Sequence, residues 1–139
     1  MTPLDPTRLG GVLESAVHMA RSRGFSEERL EDIRTAVEEA CRNALEHSGP
    51  GPRSSTSIDM TCEGERFVVV VMNPGPPFAV PTAKPDLRKK LDGLERSRGW
   101  GLFLIRSLAD YVSVISHEGI NELRIVFALH GHHKDSDRG

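Results

Sequence analysis

The chain has 139 residues, 37% of them hydrophobic and 27% charged, with a formal net charge of −2. That length suits one globular domain, 1–139, with room for a real core. The near-neutral charge excludes a basic footprint for nucleic acid, and no apolar run reaches the roughly 20 residues a membrane span requires.

In chain order, the opening MTPLDPTRLGG has neither the basic start nor the apolar stretch of a secretory signal. Asp5-Pro6 reads as a helix start, with Asp as N-cap and Pro in the first turn. Leu9, Val12, Leu13, Ala16, Val17 and Ala20 then recur at helical spacing, and Gly24 ends the segment. Ser26 caps a second helix whose Glu27 and Glu28 suit the positive end of the helix dipole. This helix runs to about His47, where SGPGP stops it. Its core face is Leu30, Ile33, Val37, Ala40, Cys41 and Ala44.

Residues 54–62 alternate weakly, as a strand does, and RFVVVVM (66–72) reads as a central strand buried on both faces. NPGPPF interrupts it. Residues 79–98 are polar and too long for an ordinary connection, which marks them as a binding loop or lid. GWGLFLIRSLADY is a third helix. The strands 111–117 and 121–129 follow, joined by the turn EGI, and 131–139 form a polar, frayed tail. The order predicts an α+β fold, a two-layer sandwich with helices on one face of a mostly antiparallel, mixed sheet. Cys41 and Cys62, the only cysteines, match no zinc or CxxC pattern and are expected reduced, as in the cytoplasm.

Three stretches carry possible chemistry. In AVEEACRNALEHSG, Glu39, Asn43 and His47 form one strip on the second helix beside Ala36 and Ala40. Glu38 and Arg42 point elsewhere as an ordinary exposed pair. The strip is either a solvated helix face or a carboxylate and an amide aimed into a cleft, where the amide oxygen suits Mg²⁺ and the carboxylate suits a general base. His47 reads as a cap or wall residue at the helix end. In NPGPPF, Asn73 offers a donor and an acceptor, and Gly75 lets a flat ligand approach the backbone; a plain Pro/Gly turn fits as well. In RGWGLFLI, Gly99 and Gly101 flank the start of an apolar helix with Arg98 beside them, an arrangement that binds phosphate or simply joins a loop to a helix.

The order of these motifs resembles the Bergerat-type nucleotide-binding fold of histidine kinases and related ATPases. Within it, EEACRNALEHSG and RGWGLFLIRSLADYVSV look most like the anti-sigma-factor serine/threonine kinases of bacterial partner-switching systems, over about residues 7–130. The resemblance implies ATP and Mg²⁺ as cofactors. It implies that Glu39 activates a substrate serine, that Asn43 holds Mg²⁺, and that Asn73 and Gly75 hold adenine. It further implies that Arg98, Gly99, Trp100, Gly101 and Leu102 contact phosphate, and that 79–98 is the ATP lid, with Lys84, Arg88, Lys89, Lys90 and Arg96 available to neutralise phosphate charge. The implied partners are a sigma factor, a small STAS-type antagonist that is phosphorylated, and a second copy of the chain in a homodimer. A partner-sequestering module of the same fold, with weak nucleotide binding or none, is the alternative. Two departures stand out. Asn73 replaces the family's aspartate, which predicts weaker ATP binding because charge-assisted hydrogen bonds are roughly twice as strong as neutral ones. The family's first strand is represented only by MTPL, which predicts a sheet one strand short or an edge supplied by a partner.

Overall fold

The computed structural model describes residues 1–47, 56–81 and 96–130. The predicted stop SGPGP, the lid residues Lys84, Arg88, Lys89 and Lys90, the side chains of Arg96 and Arg98, and the tail 131–139 lie outside the described residues.

Asp5 starts the helical layer. Its side chain accepts the Thr7 N–H at 2.8 Å, and a single 3-10 turn, Pro6–Arg8, leads into α1, Leu9–Arg23. Gly24 ends α1 in the left-handed conformation, φ +107°, which glycine adopts without strain. Ser26 Oγ accepts the Arg29 N–H at 3.1 Å and so caps α2, Glu27–His47. All six residues expected on the core face of α2 are buried, together with Ala36.

The strands are β1 (Thr2–Pro3), β2 (Ser57–Glu63), β3 (Arg66–Pro74), β4 (Tyr111–His117) and β5 (Ile120–Ala128), in the sheet order β1-β2-β3-β5-β4. Every described pair is antiparallel, so the mixed sheet expected from the sequence is corrected: hairpins, not crossovers, connect β2 to β3 and β4 to β5. The β4–β5 turn has two residues, Glu118 at φ +52° and Gly119 at φ +81°, the handedness that matches strand twist. A second correction concerns the sheet edge. Thr2–Pro3 pairs with Ser57–Ile58, and the Leu4 N–H donates to the Thr56 carbonyl at 2.8 Å. The chain itself supplies the short edge strand.

A third helix, α3, spans Arg96–Leu108. All three helices lie on one sheet face, where Phe67, Val69 and Val71 of β3 and Leu123, Ile125 and Phe127 of β5 meet the buried faces of α1, α2 and α3. Each such side chain removed from water contributes roughly 1.5–3 kcal/mol. One polar clamp crosses this layer. Arg29 donates to Asp32 at 2.9 Å, to the Leu108 carbonyl at 2.6 Å and to Asp110 at 2.7 Å, and its guanidinium lies 5.3 Å from the centre of the Phe127 ring. Asp110 also accepts the Ala128 N–H at 2.7 Å. The clamp ties the end of α3 to the start of α2 and the end of β5.

Candidate functional site

Along β3 the inward-facing residues are Phe67, Val69, Val71 and then Asn73; along β5, running the other way, they are Phe127, Ile125, Leu123 and then Asn121. At one end of the sheet the inner rows thus switch from hydrocarbon to amide. Asn73 and Asn121 are register partners there. Asn43 of α2 is a third buried amide, and the three are 5%, 3% and 1% exposed for Asn43, Asn73 and Asn121. Buried amides are rare and call for partners, so this polar end marks the interlayer space as different from the core beside it.

Asn121 is fully engaged. Its Oδ1 accepts the Ser116 hydroxyl at 2.5 Å, and its Nδ2 donates to the carbonyls of Gly75 and Pro76 at 3.3 and 3.0 Å. The Gly75 N–H donates to the Gly119 carbonyl at 3.0 Å. The segment after β3 is therefore pinned to the β4–β5 hairpin. Gly75 has φ +149°, and a methyl group there would lie 3.5 Å from the His47 carbonyl and 3.7 Å from Asn121 Nδ2. The end of α2 and the Asn73–Gly75 segment are in close approach.

The other end of the strip meets α3. A methyl group added at Gly101 would lie 2.8 Å from Glu39 Oε2, 3.3 Å from Glu39 Cγ and 3.4 Å from Asn43 Nδ2. With no side chain at Gly101, α3 lies directly on the carboxylate and the amide, and an added methyl would displace the end of Glu39. Glu39, Asn43 and Gly101 are thus brought together, as are His47, Asn73, Gly75 and Asn121. The strip on α2 links the two groups: eight residues at 1.5 Å rise place Glu39 and His47 about 12 Å apart along the helix. Burial holds the Glu39 carboxyl above its ordinary range; the Arg42 guanidinium opposes that shift, and Glu46 and Glu38 add to it. Glu38 itself pairs with Arg42 at 2.6 Å on the exposed face, as expected.

The glycine motif sits differently from expectation. Gly99 and Gly101 do not flank the helix start; α3 begins at Arg96 and contains both. Contact with α2 offsets the weak helix propensity of the two glycines. Leu102 sends its side chain into the core, 2% exposed. Trp100 is half-buried and meets Phe103 edge-on, with ring centres 6.2 Å apart. Asn121 was missed in the sequence: an asparagine just after a turn looks like turn chemistry, and only the strand register reveals it as an inward amide.

The donor set fits a nucleotide with magnesium. Among the described residues no group of three or more His, Cys, Asp or Glu could cage a metal. The Asn43 amide oxygen suits Mg²⁺, which keeps waters and substrate phosphates as its other ligands, and the Glu39 carboxylate a turn away suits a base. Buried amides at the other end suit a heterocyclic base, which presents donors and acceptors on its edge. No helix of the described residues is long and apolar enough to cross a membrane.

Comparison with known proteins gives the family. A family model described as the histidine kinase-like ATPase domain matches residues 2–127. The serine-protein kinase RsbW of Bacillus subtilis (strain 168) is 28% identical over 141 residues, covering 97% of this chain and 87% of that protein. The serine-protein kinase RsbW of Listeria monocytogenes serovar 1/2a is 31% identical over 108 residues, covering 74% and 69%. Among solved structures, the catalytic domain of histidine kinase ThkA superposes with a TM-score of 0.54 at 16% identity, covering 92% of this chain and 96% of that one, a likeness of fold.

Proposed function

This chain belongs to the histidine kinase-like ATPase domain family, and from that membership we propose that it is an ATP-dependent protein serine/threonine kinase that also binds a sigma factor and holds it inactive. Its substrate is a serine or threonine of a small STAS-type antagonist in a cytoplasmic partner-switching system. The observation that carries the reading is the α2 strip, with Glu39 and Asn43 against Gly101 at one end and His47 against Gly75 at the other. Relatives named as serine-protein kinases match most of the chain.

In this reading residues 1–139 form one nucleotide-binding domain, and the lid expected at 79–98 stops short of Arg96, where α3 begins. Asn73, Gly75 and the neighbouring Asn121 line the base end. Gly99, Trp100, Gly101 and Leu102, with Arg98, lie at the phosphate end. Glu39 takes the proton of the attacking hydroxyl as its oxygen bonds to the γ-phosphorus and the bond to ADP breaks. Its raised proton affinity suits that task, because a base works best with a pKa nearer the operating pH. Asn43 holds Mg²⁺, which when bound neutralises phosphate charge. Positioning and electrostatics supply most of the acceleration in such transfers. A second copy of the chain completes a homodimer.

One observation favours a second reading. Asn73 carries no charge where the resemblance calls for aspartate, which suits a module that sequesters its partner without turnover. Two measurements separate the readings. Calorimetry with Mg-ATP reports binding, and γ-labelled ATP incubated with a small protein captured on the immobilised chain reports transfer. A labelled serine on the captured protein supports the kinase; binding without label, against several captured partners, supports the sequestering module.

A further inference from the structure

The two amides at the base end differ in how firmly they are held. Asn121 has three hydrogen bonds that fix which way its amide faces. Asn73 is 3% exposed, yet its side chain makes one hydrogen bond among the described residues, from Nδ2 to the Pro74 carbonyl at 3.4 Å. That distance lies beyond the usual range of about 2.7–3.2 Å. A half-turn of the Asn73 amide therefore sacrifices little, and either its oxygen or its NH₂ can face the interlayer space.

Purines differ at the 6-position. Adenine carries an amino group there, a donor, and guanine an oxygen, an acceptor. An ionised carboxylate only accepts, so it pairs with adenine and repels guanine. An amide holds both functions in one side chain of the same shape. In a buried site a mismatched pair leaves polar atoms unsatisfied, which is strongly unfavourable, so a free amide turns to match the base it meets. The carbonyls of Gly75 and Pro76 each keep a lone pair after accepting from Asn121, which provides acceptors at the base end for the ring N–H of guanine.

We propose that Asn73 makes the base end indifferent to the 6-substituent of the purine, so that this chain takes guanine as well as adenine nucleotides. The inference rests on the nucleotide reading of the site given above and adds its base selectivity.

Calorimetric titration of the full chain with Mg-ADP and Mg-GDP tests it without any turnover. The expected result is dissociation constants for the two that agree within about tenfold, where a site built on one fixed donor or acceptor discriminates by orders of magnitude more. In Asn73→Asp, ADP should bind more tightly and GDP more weakly, opening the ratio to about a hundredfold or more. A wild-type preference for ADP of a hundredfold or more overturns the proposal while leaving the nucleotide site intact. Binding of ADP by Asn73→Asp but of neither nucleotide by the wild type also overturns it. Failure of both proteins to bind either nucleotide overturns the site reading itself. The wild-type ratio decides the matter even if the variant does not fold.

Discussion

Glu39 illustrates how one side chain links packing to chemistry. Its carboxylate lies against Gly101, and burial raises its affinity for a proton. For a carboxyl whose folded pKa is above its unfolded value, the folded state binds the proton more tightly. Stability is then greatest below the ordinary value of 4.5 and falls as pH rises through the folded pKa. Glu39→Gln removes that penalty. Chemical denaturation of both proteins should find the variant relatively more stable at neutral pH, with the advantage shrinking as pH falls through the folded pKa and gone below 4.5, the ordinary value. The same variant should keep nucleotide binding and lose phosphotransfer by about a hundredfold or more, the scale of a missing general base. Wild-type transfer rates in the variant would remove Glu39 from the mechanism. The strip of Glu39, Asn43 and His47 was legible because helical periodicity alone defines a face. Its burial was not, since that depends on α3, far along the chain.

At the scale of elements, two contacts hold the site's frame, and they differ in how visible they were. Gly101 was noticed as half of a glycine pair, but its position inside α3 and against α2 was not. A glycine's low helix propensity says nothing of a neighbour that occupies the place of its missing side chain. Gly101→Ala would drive a methyl group to 2.8 Å from Glu39 Oε2. Glu39 Oε2 ends a flexible side chain that can swing aside, and alanine gains about 1 kcal/mol of helix propensity, so impaired phosphotransfer with little change in the denaturation midpoint is expected. Wild-type phosphotransfer in the variant would mean that the seat of the carboxylate against Gly101 does not matter. The Arg29–Asp110 clamp was invisible in the sequence, because its members are 81 residues apart and look like surface charges. The Asp110 side chain is 4% exposed and Arg29 22%. Asp110→Ala leaves the Ala128 N–H without that acceptor and takes one of three partners from Arg29, which keeps Asp32 and the Leu108 carbonyl, a loss of about 1–3 kcal/mol. Thermal melting should show it as a clear loss. A shift within error would make the clamp incidental. The helices and β3 were legible through periodicity and β-branched density. The two-residue β1 was not, because its pairing with β2 is entirely tertiary.

For the whole molecule, the site is a seam between layers. Asn43 and Glu39 belong to the helical layer, and Asn73 and Asn121 belong to the sheet. A ligand spanning the seam bonds both layers in the folded state and neither in the unfolded chain. Mg-ATP at a hundred times its dissociation constant should therefore add about 2.7 kcal/mol to the unfolding free energy, a rise of several degrees in melting temperature for a chain of this size. In this reading Asn43 makes that effect depend on magnesium, because its side chain lies beside Gly101 next to Glu39 and an amide oxygen is a hard donor. In Asn43→Ala the melting temperature without ligand should change modestly, since the lost side chain is a buried amide with a small net hydrogen-bond contribution of about 0.5–1.5 kcal/mol. The stabilisation by Mg-ATP should collapse to the level seen with ATP and EDTA. A full magnesium-dependent rise in the variant would move the metal away from α2. Glu39→Gln serves as the contrast, because it alters the neighbouring residue yet should retain the magnesium-dependent rise. The two variants together separate a residue that holds the metal from one that moves a proton.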